Sequence, residues 1–462
     1  MPGHDASNRL RQLIDMGSIM KRILIGFAAM LLLPLPVFAE DLVQVFRDAQ
    51  AYDAQYASAR AARDAGRESL PQGLALLLPT ITASAFTQWN NLDISFRGLI
   101  PPSSREGNAN GIALNLTQPL FNWQSLSVYK QAGFRVAQSE ALFAQTTQDL
   151  IVRTAQAYFD IQASQDNLAF IRAQTIAISE QLAQAKRNFE VGTATITDTH
   201  EAQARYDLSV SQEIASQNDL EIKRRALQQI IGKFPERLMP LKSKFEVSLP
   251  TPNAMDEWAR AAESQNFAVR VQEAALAVAK YEIERTRAGH MPSLNLVGSL
   301  SMNSAGLSAV GTSSIATDSI NRTIGLQLAI PLYAGGGVDS LVRQAIANRE
   351  RAQQDLENSR RTAALAARQA FLGVTNGNAQ VKALEAALVS SQSALESNKL
   401  GYEVGVRINI DVLNAQQQVF STKRDLAKAR YDTIVNGLKL KAAAGTLSAA
   451  DIEQVNGLLG TD

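Results

Sequence analysis

Two hydrophobic periods alternate along this chain, and the alternation occurs twice. Residues 40–66 carry helical spacing through Val43 and Phe46, and Pro71 and Pro79 end that run. From Thr80 the period changes to two, with Ile81, Ala83 and Ala85 on one face and Thr82 and Ser84 on the other, as far as Trp89. A loop rich in Pro and Gly is expected over residues 98–110. Ile112, Leu114 and Leu116 then alternate with Ala113, Asn115 and Thr117 up to Pro119-Leu120-Phe121. A period of two marks strands, so an antiparallel pair is predicted. The run 123–189 that follows holds no Pro and a single Gly, Gly133. As one helix it would span about 100 Å, far beyond the roughly 11 residues of an average helix. Its Ala, Gln, Leu and Ile content suits close, coiled-coil packing.

A Gly-centred turn follows at Phe189-Glu190-Val191-Gly192-Thr193-Ala194-Thr195-Ile196-Thr197-Asp198, then a helix over residues 199–231. Beyond a Pro-punctuated connector, with a short strand expected at Phe245-Glu246-Val247-Ser248-Leu249, the same order returns. Residues 255–287 read as helix. Leu294, Leu296, Gly298 and Leu300 alternate as a strand, 304–318 is expected as a loop, and Ile324, Leu326, Leu328 and Ile330 alternate again. A second long run of equal length, 336–402, leads to a turn at Tyr402-Glu403-Val404-Gly405-Val406-Arg407 and a closing helix over 410–441. The displacement that carries Gly192 onto Gly405 also carries Asp198 onto Asp411, Gly232 onto Gly445 and Pro79 onto Pro292. Pro119-Leu120-Phe121 meets Pro331-Leu332-Tyr333 with a slip of one position. One unit has been built twice. The domains read as 40–232 and 255–445, joined by a connector at 233–254 and followed by a tail at 446–462. In each half the two shorter helices, end to end, match the long one in length and could run beside it.

Residues 1–39 have a different logic. Met20-Lys21-Arg22 precedes an apolar run that ends Val37-Phe38-Ala39 before Glu40, the pattern of a secretory signal peptide cleaved between Ala39 and Glu40. Pro34 and Pro36 interrupt the run, which is short for a membrane span. Residues 1–19 are polar and fit an over-extended start, with Met20 the true initiator. Export changes the meaning of the strands. Each has one apolar face and one small or polar face, the alternation of a transmembrane β-barrel strand. Four strands cannot close a barrel, and an open edge cannot sit in lipid. Two chains would give eight strands with a lumen filled by side chains, and three would give twelve and a usable pore, so a homotrimer is expected. Trp89, Phe121, Trp123 and Tyr333 fall at strand ends, where an aromatic belt would sit. The competing reading is an extracytoplasmic scaffold of long coiled coils, with the four strands a soluble sheet packed on helices.

Composition narrows the chemistry. A formal net charge of +1 gives no support for a nucleic-acid partner, and the absence of Cys excludes disulfides, thiolate metal sites and an N-terminal lipidated Cys. Gly335-Gly336-Gly337 lacks the Gly-Lys-Ser/Thr ending of a phosphate loop and suits a strand-to-helix transition. His4, His200 and His290 are the only histidines, and His200 beside Asp198 is too sparse a set for a metal. No catalytic constellation, metal or cofactor is expected.

The duplicated layout, the run Ile330-Pro331-Leu332-Tyr333-Ala334-Gly335-Gly336-Gly337-Val338, the segment from Tyr402 through Asp411-Val412-Leu413 and the ending Leu440-Lys441-Ala442-Ala443-Ala444-Gly445-Thr446-Leu447 resemble the TolC family of outer-membrane channel proteins. The resemblance implies a mixed membrane α+β fold: a trimer with a twelve-stranded outer-membrane barrel continued by a long periplasmic α-helical barrel. It implies an exit duct for type I secretion or drug efflux, with a secreted protein or small molecule as cargo. Its partners would be outer-membrane lipid, a periplasmic adaptor and an inner-membrane ABC or proton-driven transporter. Lipidated efflux relatives begin with Cys after cleavage, so this chain looks closer to the secretion branch. The resemblance places the periplasmic gate on Asp198, Tyr402 and Arg407, where a hydroxyl and a guanidinium bind carboxylates of neighbouring coils. It places the first acidic constriction ring on Asp411, whereas the second acidic position is Asn414 here, which weakens the expected cation selectivity. Val191, Gly192 and Thr193, with Val404, Gly405 and Val406, are candidate adaptor contacts. Asp198 and Asp411 also suit plain helix N-capping, and Gly192 and Gly405 suit the positive φ of a helix end.

Overall fold

The structure, a computed structural model, describes residues 39–95, 103–242, 249–309 and 315–460. The leader, and the strand expected at 245–249 save for Leu249, lie outside the described residues. In chain order the elements are α1 (Leu42–Tyr52), α2 (Ala54–Arg67), α3 (Ser69–Ala75), β1 (Thr80–Ile94), β2 (Ser103–Phe121), α4 (Trp123–Glu190) and α5 (Ile196–Ile231). The second unit holds α6 (Met255–Gln265), α7 (Phe267–Arg287), β3 (Ser293–Ala309), β4 (Ile315–Ala329), α8 (Gly337–Glu403) and α9 (Asn409–Ala443), and α10 (Ala449–Asn456) follows.

The two long helices, α4 and α8, are uninterrupted from end to end. In place of the single helices expected at 40–66 and 255–287, each unit opens with a broken helix. Asp53 and Asn266 turn the backbone out of helical φ/ψ, and each caps the helix after it: the Asp53 carboxylate accepts from Tyr56 N at 2.7 Å, and the Asn266 side-chain oxygen from Ala268 N at 2.8 Å. A cap inside a run of helix formers costs no apolar period, so periodicity alone could not reveal the break. The glycine ending the last helix of each unit packs against the break: a Cβ on Gly232 would strike the Tyr52 ring, and one on Gly445 the Gln265 carbonyl. The C-terminal stretch is no loose tail. Asn456 on α10 accepts from Leu42 N at 2.9 Å, which ties the last described helix to the first.

The loops expected at 98–110 and 304–318 are largely strand. β2 begins at Ser103 and β3 runs to Ala309, because cross-strand pairing fixes Asn108, Asn110 and Ser304 although their polarity and small size read as turn. The strands form one antiparallel sheet in the order β1-β2-β3-β4. Ile81 sits opposite Leu116, Ala83 opposite Leu114 and Ala85 opposite Ile112. Leu114 and Leu300 then pair across the junction of the two units, and Leu296 pairs with Leu326. The result is an apolar band on one face, with Ile81, Ile112, Ile324 and Leu326 all strongly exposed. The opposite face is polar, and there the Ser299 and Thr323 hydroxyls lie 2.6 Å apart in a hydrogen bond. Among the described residues no helix is long and apolar enough to cross a membrane.

The core lies midway along the helices. Leu42, Val45, Phe46, Leu150, Ile151, Tyr158, Phe159, Leu227, Ile434, Leu438 and Ile452 pack there into one cluster. At its edge Tyr431 on α9 donates to the Asp166 carboxylate on α4 at 2.6 Å. Burial raises the pKa of Asp166, opposed by that hydrogen bond. Removing the donor in Tyr431→Phe should cost about 1–3 kcal/mol, since a partly buried carboxylate loses its partner. The sign follows from linkage: a carboxyl whose folded pKa is raised penalises the fold when ionised, and the penalty fades as pH falls through the folded pKa and is gone below the ordinary value. The gap between variant and parent in thermal unfolding temperature should therefore be wide near pH 7 and narrow near pH 3, with the ordinary Asp pKa at about 3.9. An equal gap at both would contradict it.

Candidate functional site: the two helical turns

Both turns lie at the ends of the hairpins α4–α5 and α8–α9, many helical turns beyond the core residue Tyr158 in the first hairpin. Their backbones are built alike. The Asn188 carbonyl accepts from Thr193 N at 2.8 Å and Ala194 N at 3.2 Å, and the Gly401 carbonyl from Val406 N at 2.9 Å and Arg407 N at 3.0 Å. Gly192 and Gly405 close these turns at φ 77° and 79°, where side chains are strained. Nothing occupies the space around either glycine, and Val191, Val404 and Val406 are 72 %, 65 % and 76 % exposed. Apolar side chains held out on rigid turns form a surface suited to contact with another protein.

The second residue layer breaks the duplication. In the first turn Thr195 and Asp198 form a reciprocal capping box, with Thr195 N and Oγ1 donating to the Asp198 carboxylate at 2.9 and 2.8 Å. In the second turn Ile408 stands in the place of Thr195 and offers no hydroxyl, so Asp411 forms no such box. Its carboxylate instead lies 3.6 Å from the Arg407 guanidinium. Arg407 crosses over Gly401, where a Cβ would come within 2.7 Å of its Cγ. Tyr402 reaches the other hairpin, its hydroxyl accepting from the Asn188 side-chain amide at 3.2 Å. Within one chain, therefore, Asp198, Tyr402 and Arg407 each bind a different partner and do not meet.

Asn414 is also an inter-hairpin contact. Arg205 on α5 donates to Asn414 Oδ1 at 3.0 Å and to Gln417 Oε1 at 2.6 Å. Asn188, Gly401, Arg205 and Gln417 thus join the site, although no local pattern singled them out. Asn188 and Gly401 occupy equivalent places in the two units, so the duplication held a signal for them. Arg205 had none, because its partners come from a helix in the other half of the chain. Toward the tip Leu182, Ala185 and Ala202 form a small buried apolar cluster, and Ile178, Val412, Leu413 and Val419 are buried as well. Exposed polar contacts of this kind contribute about 0–1 kcal/mol each, strong enough to hold two coils and weak enough to exchange.

The sequence matches the family described as outer membrane efflux protein over residues 45–233 and 258–446, two stretches separated by the same interval as the two turns. Outer membrane protein TolC of Vibrio cholerae is 34 % identical over 440 residues, which cover 95 % of this chain and 98 % of that protein. Alkaline protease secretion protein AprF of Pseudomonas aeruginosa is 31 % identical over 433 residues, 93 % of this chain and 89 % of its own. Among solved structures, the CmeC outer membrane channel of Campylobacter jejuni superposes with a TM-score of 0.77 at 18 % identity, covering 91 % of this chain and 90 % of that one. With its two matched units and its kinship to TolC over nearly all its length, this chain belongs to the outer membrane efflux protein family.

Proposed function

We propose that this chain is the outer-membrane export duct of a tripartite type I secretion or efflux system. Three copies close a twelve-stranded barrel in the outer membrane of a Gram-negative cell, and their helices continue it as a tube through the periplasm. One observation carries the reading: a four-stranded sheet with two open edges and an exposed apolar face stands at one end of two very long helical hairpins. An apolar face needs lipid, and open edges in lipid need partners. The signal peptide leaves between Ala39 and Glu40, and the mature chain begins at Glu40. The duct is passive and carries no catalytic step, cofactor or metal of its own. Its cargo, a secreted protein or a small molecule, moves at the expense of an inner-membrane ABC or proton-driven transporter, coupled through a periplasmic adaptor. The names of TolC and AprF support this reading.

The turns form the periplasmic mouth. Val191, Gly192, Thr193, Val404, Gly405 and Val406 present the surface on which the adaptor docks. Asp198, Tyr402 and Arg407 gate the mouth between copies, with Asn188 and Arg205 joining the hairpins within a copy. Charge selectivity rests on Asp411, because Asn414 is neutral and is engaged by Arg205. Detergent-extracted protein should sediment as a trimer that falls apart on heating, and should give stepwise conductance in planar bilayers. A water-soluble monomer without conductance would instead favour the coiled-coil scaffold.

A further inference from the structure

The sheet carries its own rule for closure. The displacement that relates Gly192 to Gly405 moves β1 onto β3, and one position less moves β2 onto β4. Together they convert the pairs Ile81–Leu116, Ala83–Leu114 and Ala85–Ile112 into Leu294–Leu328, Leu296–Leu326 and Gly298–Ile324, all of which are observed. The seam between the two units, β2 with β3, pairs Asn110 with Ser304, Ile112 with Met302, Leu114 with Leu300 and Leu116 with Gly298. In a closed ring the free edge of β4 stands where β2 stands, and β1 of the next copy stands where β3 stands.

We infer that β4 pairs with β1 of the next copy in the register that these displacements dictate, with Arg322 opposite Asn91, Ile324 opposite Trp89, Leu326 opposite Thr87 and Leu328 opposite Ala85. The inference rests on the multimeric barrel proposed above and adds its joining surface. Three independent features of the chain suit it. Face parity is kept: the apolar column of β4 meets the outward column of β1, and its large residues fall beside small ones at Ala85 and Thr87. The basic residue of the β4 apolar column finds partners as well. Arg322 is exposed and, among the described residues, has no hydrogen bond or ion pair. In this register it faces the Asn91 amide, with the Asp93 carboxylate and the Trp89 ring on its two diagonals, within reach of a long side chain. A guanidinium at the rim of an apolar band is costly unless paired, and these are groups that pair with it.

The third feature is strand length. β2 runs to Phe121 because β3 pairs with it there, Gln118 with Leu296 and Phe121 with Leu294. β4 stops at Ala329, although its counterparts to residues 118–121 are Ile330, Pro331, Leu332 and Tyr333. Their partner would be the next copy, with Ile330 opposite Ala83 and Tyr333 opposite Ile81. Leu332 and Tyr333 are 92 % and 89 % exposed in the single chain, as an unfilled strand end would be.

The chain has no Cys, so cysteine pairs report the register without background. Directly opposed residues lie about 4.5–5.5 Å apart between Cα atoms, inside the range a disulfide spans, whereas positions beyond about 7 Å cannot be bridged without backbone movement. Leu326→Cys combined with Thr87→Cys should therefore yield covalent multimers when membranes are oxidised. Leu326→Cys with Ala85→Cys, or with Trp89→Cys, should not. Trimers that cross-link only in a shifted pair would overturn the register and leave the barrel standing. A protein that sediments as a monomer and cross-links in none of the pairs would overturn both. Arg322→Ala and Asp93→Ala should each lower the dissociation temperature of the trimer, and the double variant should lower it by less than the sum. Strict additivity of the two would remove Arg322 and Asp93 as a pair.

Discussion

Single-channel conductance should rise severalfold in the variant Arg205→Ala/Tyr402→Phe. These substitutions remove the hydrogen bonds that join the hairpins of one chain at its tip: Tyr402 with Asn188, and Arg205 with Asn414 and Gln417. The apolar residues buried nearby, Leu182, Ala185, Ala202, Val412 and Leu413, supply no directional bond in their place. Each lost contact removes about 0–1 kcal/mol at this exposure. In the proposed trimer the loss occurs in every copy, and the sum is expected to shift the mouth toward open. Arg407→Ala is the informative comparison. Inside one chain the Arg407 guanidinium pairs with Asp411, four positions along the same segment, so its removal would loosen no hairpin. Conductance that rises in Arg407→Ala/Tyr402→Phe beyond Tyr402→Phe alone places the guanidinium's gating partner, Asp198, in a neighbouring copy. Conductance unchanged in every one of these variants would sink the gate.

Gly445→Ala should be the most damaging single substitution of a glycine among the turns and helix ends. Gly445 has φ 74°, and a Cβ there would run into the Gln265 carbonyl and lie 2.7 Å from its carbon. The left-handed conformation costs a side chain about 1–3 kcal/mol, and a backbone clash adds about 1–3 kcal/mol of overpacking. Gly405→Ala meets the same φ penalty at 79° but open space around it. The two variants therefore separate strain from clash. The thermal unfolding temperature should fall much further for Gly445→Ala than for Gly405→Ala. Equal falls would mean that the helix break at Asn266 moves freely to admit the methyl group.

The comparison of the two turns shows how far residue patterns reach. Gly192 and Gly405, the acidic residues six positions later, and the long helices before them were all legible, because each depends on local chemistry: a positive φ, a helix end, an uninterrupted period. That Asp198 helps to cap its helix was legible, although the N-cap itself is Thr195 and Asp198 completes the box from the third helical position. What Asp411 does was not. Its freedom follows from Ile408 replacing a hydroxyl, and its ion pair from Arg407 lying across Gly401. The breaks at Asp53 and Asn266 escaped for a related reason, since a single capping residue leaves the apolar period intact on either side.

Residue order was enough to establish that one unit of helix, strand pair, long helix and turn occurs twice, which face of each strand is apolar, and where the chain must turn. These features are set by period, by glycine and proline, and by the spacing of the repeat. How far the strands run beyond their apolar stretches was settled only in three dimensions, because cross-strand hydrogen bonds hold residues such as Asn108 and Ser304 whatever their propensity. The same is true of the partners of Tyr402, Asn414 and Asp166, each met by a side chain from a distant helix. Contacts between hairpins depend on where two long helices come to lie side by side, and no window of residues along one helix records its neighbour.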